Sequence, residues 1–83
     1  MATLRRAFGA TIRRLRTQAN LSQEKFAERA RVSRNFEGSV ERGESSLSVE
    51  IADRFAKTLG LTLSELFTEV EQSMRSGAAR SDQ

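Results

Sequence analysis

The tightest constraint on this chain is its apolar rhythm. Hydrophobic residues recur three or four apart almost throughout, in short runs opened by Ser or Thr and often closed by Gly. Leu4, Phe8, Ile12, Leu15 and Ala19 step by 4, 4, 3 and 4, one face of a helix over 4–19. Asn20 and Leu21 break it. Ser22 is a good N-cap for a helix over 23–30 that carries Phe26, Ala27 and Ala30. Ser33 is the next cap candidate, for a helix over 33–42 with Phe36 and Val40 on its inner face and Gly43 at its end. Ser48 caps a fourth helix, 49–59, with Ile51, Phe55 and Leu59, and Gly60 stops it. Thr62 and Glu65 fit a capping box, with Leu61 and Leu66 placed as a hydrophobic staple. No stretch alternates with the period of a strand. The expected fold is therefore all-α, five short helices around one core. One domain fills 1–75, and the small, polar SGAARSDQ of 76–83 is expected to be a disordered tail.

Composition removes most chemistry. Only 37% of the 83 residues are apolar, and there is no Cys, His, Pro, Trp or Tyr. Disulfides, zinc fingers, haem attachment and most nucleophile–base triads are excluded together. No metal or cofactor is implied, and an enzyme is the weakest reading. A core this small gains from a partner subunit. No run is long enough to span a membrane, and no apolar segment of a secretory signal follows Arg5 and Arg6, so a soluble intracellular protein is expected. Charge is asymmetric: residues 1–42 carry a net +6 and residues 43–83 a net −3. That split suits one face turned to a polyanion, although a solvated surface gives the same count.

Residues 23–42 are the informative stretch. Two short helices joined by a tight turn, the second opening with polar residues, meet the physical requirements of a helix-turn-helix. The major groove presents a distinct donor and acceptor pattern for each base pair. Arg34 can reach the two acceptors of guanine, Asn35 can pair bidentately with adenine, and Ser33 and Ser39 are short enough to fit.

LSQ at 21–23, FAERA at 26–30, VS at 32–33, ERGE at 41–44 and the LGLTLSELF ending occur in order. On these segments the chain, over about 4–70, resembles the Cro/repressor-type (XRE-like) helix-turn-helix family. The resemblance implies a five-helix lambda-repressor-like domain that binds double-stranded operator DNA, usually as a homodimer, in the cytoplasm at the nucleoid. Its size is similar to that of restriction–modification controller proteins and small phage or plasmid repressors. By matching position, the resemblance implies base contacts from Arg34, Asn35, Gly38 and Ser39. It implies phosphate contacts from Gln23, Ser33, Arg42, Ser45 and Ser46. Arg13 is a further phosphate candidate from its place in the sequence. The family also implies a structural ion pair between Arg16 and Glu41. An interaction module that binds a protein, antitoxin-like, is the alternative, and salt-sensitive DNA binding discriminates the two.

Two positions depart from the family pattern. Arg31 stands where the turn usually has Gly, at a cost of about 1 kcal/mol in a left-handed conformation. Glu37 stands where the family places Ile or Val pointing inward. Three outcomes are open there: the carboxylate snorkels out while Phe36 fills the gap, it pairs with Arg29 or Arg34, or it is a lesion or engineered change that weakens the domain. Finally, helix 5 is more apolar than a terminal helix needs, so Leu66, Phe67, Val70 and Met74 are expected to form a dimer interface, with the start of helix 4 adjoining.

Overall fold

The computed structural model describes the backbone of residues 3–81 and the side chains of residues 3–75. Its elements are α1 (Leu4–Gln18), α2 (Gln23–Ala30), α3 (Arg34–Glu41), α4 (Val49–Thr58) and α5 (Leu63–Ser81). Each begins where a side chain satisfies an orphan backbone N–H. Thr3, Ser22, Ser33 and Ser48 accept from the N–H groups of Arg6, Lys25, Phe36 and Ile51. The capping box closes in both directions: Thr62 N–H donates to Glu65 Oε1 at 2.9 Å, and Glu65 N–H to Thr62 Oγ1 at 3.0 Å. The breaks are equally local. Asn20 and Arg31 take the left-handed conformation at φ 59° and 62°, as does Gly43 at 76°.

The last helix ends later than expected. The backbone of α5 runs through Ser81, because the segment after Arg75 has a single Gly and no Pro to stop it. The tail expected over 76–83 is thus helical to that point. Residues 82–83 lie outside the described ones.

The helices enclose one core. Phe8, Ile12, Phe26, Val40, Phe55, Leu66 and Val70 are buried together with Ala30, Ala52 and Ala56. Phe26 and Phe55 meet edge to face at 5.0 Å, a favourable aromatic geometry. α1 packs on both α3 and α5, and α2 on α3 and α4. The α1–α3 approach is set by Gly9. A Cβ there would lie 2.1 Å from the Val40 carbonyl oxygen, so only glycine lets α1 press onto the end of α3. That contact fixes the C-terminal end of α3 and leaves its N-terminal end projecting.

This packing removes Leu66 and Val70 from the expected dimer interface. Leu66 and Val70 are wholly buried within the protomer, because their stripe forms the seam of α5 with the core. Phe67 and Met74 are half-buried against the same core. Among the described residues, the large apolar side chains left exposed are Leu4 and Val49.

Candidate nucleic-acid interface

Helix α3 is held at its far end by a buried polar network. Arg16 Nε donates to Glu41 Oε2 at 2.6 Å and Arg16 Nη2 to Glu41 Oε1 at 3.1 Å, a bidentate pair. The third nitrogen, Nη1, donates to the Leu21 carbonyl at 2.8 Å, and Gln23 Nε2 donates to Glu41 Oε1 at 3.1 Å. One guanidinium and one carboxylate thereby join α1, the α1–α2 turn, the first residue of α2 and the last turn of α3. Burial alone would raise the Glu41 pKa. The hydrogen bonds from Arg16, from Glu37 and from Gln23 act against it, and the net shift is downward. The hydrogen bond to Glu41 raises Arg16 in turn, against its own burial.

The near end of α3 is open. Ser33 caps it, and Arg34 and Asn35 follow, both exposed. Arg34 takes part in none of the ion pairs among the described residues. Phe36, next in line, is half-buried against the core. Arg34 and Asn35 therefore project together from the start of a helix whose other end is fixed.

The remaining expected residues divide. Gly38 is buried, with Arg42 Nη1 and Gln23 Oε1 lying 3.2 and 4.0 Å from where a Cβ would stand, so it is not open to a base. Ser39 is half-buried. Its hydroxyl donates to the Phe36 carbonyl at 2.7 Å and therefore accepts from Ser45 Oγ at 2.6 Å. That link ties α3 to the loop before α4 and occupies both hydroxyls expected at the DNA. Arg42 is exposed and donates to Glu44 at 3.1 Å. Ser46 and Arg13 are exposed, and Gln23 is half-exposed at the start of α2.

Glu37 resolves against all the rescues that the sequence left open for it. It is wholly buried, so it does not snorkel, because its two-carbon stem is too short to lead the carboxylate past the side chains around mid-α3. Neither oxygen receives a hydrogen bond from any donor, so it pairs with neither Arg29 nor Arg34. Burial first, and then the Glu41 carboxylate beside it, push its pKa up to about 8, while Arg16 and Arg34 pull the other way. As the acid, Glu37 donates its proton to the Glu41 carboxylate, a hydrogen bond that raises Glu37 and lowers Glu41. At neutral pH Glu37 is mostly the uncharged acid.

Sequence reasoning missed three features of this region. Gly9 gave the weak signal of a lone glycine inside a helical pattern. The Ser39–Ser45 link joins residues six apart with no motif of its own. Arg54 on α4 donates to the carbonyls of Ala30 and Arg31, 24 and 23 residues before it, closing the C-terminal end of α2. Among the described residues, no helix is long and apolar enough to cross a membrane, and no cluster of His, Cys, Asp or Glu is arranged to hold a metal.

A capped, projecting helix behind a tight turn, locked at its far end to α1, defines a helix-turn-helix domain. The chain belongs to that family: the helix-turn-helix domain matches it over residues 7–66. It is similar to a set of bacterial regulators of the XRE-like kind. Control protein C.MunI of Mycoplasma sp is 36% identical over 66 residues, 78% of this chain and 89% of that protein. The clp gene regulator ClgR of Corynebacterium glutamicum is 31% identical and superposes with a TM-score of 0.92 over 98% of this chain and 86% of ClgR. The restriction–modification controller protein C.AhdI of Aeromonas hydrophila is 36% identical, with a TM-score of 0.71 over 74% of this chain and 92% of the controller.

Proposed function

We propose that the chain is a sequence-specific DNA-binding transcriptional regulator of the controller type, acting as a dimer on a pseudo-palindromic operator with α3 in the major groove. The observation that carries this reading is the joint exposure of Arg34 and Asn35 at the capped start of a helix whose opposite end is anchored. Arg and Asn are the side chains that read guanine and adenine bidentately. The likeness to C.MunI and C.AhdI, both controllers by name, supports the same role.

Phosphate contacts in this reading come from Gln23, Arg42, Ser46 and Arg13, around the two base-reading residues. Gln23 spends its amide N–H on Glu41 and keeps one further N–H for a phosphate. Gly38 and Ser39 are left out, since one is covered and the other is bonded into the loop.

The dimer surface in this reading is not the inner stripe of α5. An apolar groove of about 200 Å³ lies between α1, the loop before α4 and α5. Phe8, Leu47, Ala52 and Phe67 line it, with the exposed Leu4 and Val49 among the lining side chains. Knobs and groove on one patch suit a two-fold contact with a second copy. Binding to two half-sites one turn of DNA apart requires the two α3 helices of such a dimer to stand about 34 Å apart.

Selection from random duplex DNA tests the reading. The expected product is a pseudo-palindrome with half-sites one turn apart, bound with an affinity that falls steeply as salt rises. Recovery of no preferred site, with no salt-sensitive binding at dimer-saturating concentration, would favour a protein-binding module instead.

A further inference from the structure

The DNA-reading role accounts for Arg34, Asn35 and the anchor of α3, and leaves one buried titratable group unused. Glu37 lies in the middle of α3 with no exposed surface and two oxygens that receive no hydrogen bond. Three residues before it, one turn away on the same helix, stands the exposed Arg34. Four residues after it stands Glu41, the acceptor that holds Gln23 and Arg16. The charged groups acting on Glu37 are thus Arg34 and Glu41 from α3 itself and Arg16 from α1, while α2 brings only the neutral Gln23 to the network.

We propose that Glu37 is a proton-operated positioning residue: uncharged, it leaves Arg34 free at the DNA face, and ionised, it draws the Arg34 guanidinium back along the helix. The inference rests on the DNA-reading role of α3. Of the two guanidiniums within its influence, Arg16 has every facing nitrogen already committed to Glu41 and the Leu21 carbonyl. Among the described residues, Arg34 has no ion pair to break. An uncompensated buried carboxylate is costly enough to recruit the cation that is free. DNA competes for that same cation. Binding therefore favours the protonated protein, and at a pH above the Glu37 pKa each protomer takes up a proton as it binds. The chain has no His, Cys or Tyr. Apart from a terminal amine, no ordinary group titrates between about pH 6 and 9, so the device acts on an otherwise silent background.

The test compares the unaltered protein with Glu37→Gln, a neutral side chain of nearly the same shape. DNA affinity for the selected duplex is followed by fluorescence anisotropy from about pH 6 to 9 at fixed ionic strength, with thermal stability recorded on the same samples. The unaltered protein is expected to lose on the order of tenfold in affinity between pH 7 and 9, while Glu37→Gln stays within about twofold across the range. Parallel affinity profiles for the two proteins overturn the proposal. So does a stability that falls with pH in the unaltered protein while its affinity stays level, since Glu37 then titrates without reaching Arg34. Absence of salt-sensitive DNA binding even at pH 6 defeats the DNA-reading role itself, and the stability profiles still report whether Glu37 titrates.

Discussion

Glu37 and Glu41 sit one turn apart on the same helix, both buried, and meet opposite fates. Glu41 receives three hydrogen bonds from the neighbouring helices, two from Arg16 and one from Gln23, and its pKa falls. Glu37 receives none, and its pKa rises to about 8. Burial is shared, so burial does not decide the outcome. The difference is the supply of donors, which α1 and α2 direct at the last turn of α3 and not at its middle. A buried carboxylate is therefore an anchor or a burden according to what the neighbouring helices aim at it.

The largest effect should come from stripping the satisfied site of its cation. Arg16→Ala would strand Glu41 and is expected to cost about 3–5 kcal/mol, read as a lowered midpoint in urea unfolding. A loss no larger than that of an exposed pair would mean that Glu41 is rescued by water, and the contrast between the two sites would fail.

Next in size is the unsatisfied site. Glu37→Ile should raise the melting temperature by an amount equivalent to about 3–4 kcal/mol near pH 8, and by little near pH 5. The sign follows from the raised pKa. Between the ordinary value of 4.5 and the folded value of about 8, the native state holds more protons than the unfolded chain. Stability of the unaltered protein therefore falls as pH rises across that window, by up to about 1.4 kcal/mol per unit, and levels off above it. Melting curves at several pH values check both statements, and a lower melting temperature for Glu37→Ile would contradict them.

Gln23→Ala sharpens the comparison at a smaller scale. Glu41 keeps its bidentate partner, so the stability cost should be about 1 kcal/mol. In DNA binding the same change should weaken cognate and unrelated duplexes alike, because a phosphate contact carries no sequence information. Smallest of all is Arg14→Ala. Its pair with Glu69 is as short as a buried one, 2.9 Å, yet both side chains are well exposed. Its removal should cost under about 0.5 kcal/mol by thermal melting.

Much of this was legible in the sequence, for reasons that are local. Ser22, Ser33, Ser48 and Thr62 announce helix starts because a cap is a contact across three residues, which spacing alone reveals. Arg34 and Asn35 could be singled out because their position after a cap sets their exposure. What spacing cannot reveal is where helices meet. Gly9 against the Val40 carbonyl, and Arg54 on the end of α2, join residues more than twenty apart. The same blindness misplaced Leu66 and Val70, since an apolar stripe reads alike whether α1 or a second protomer covers it. Glu37 was visible as an anomaly, but its fate depended on donors from other helices that no local pattern encodes.

The central claim is that the open start of α3 reads base sequence. The most direct measurement is the affinity of Arg34→Ala for the selected site and for a scrambled duplex of equal length, at one salt concentration and near pH 6.5. The account predicts a loss of about 1–3 kcal/mol on the selected site and little change on the scrambled one. Equal losses on both would contradict it, and would reduce Arg34 to a phosphate contact.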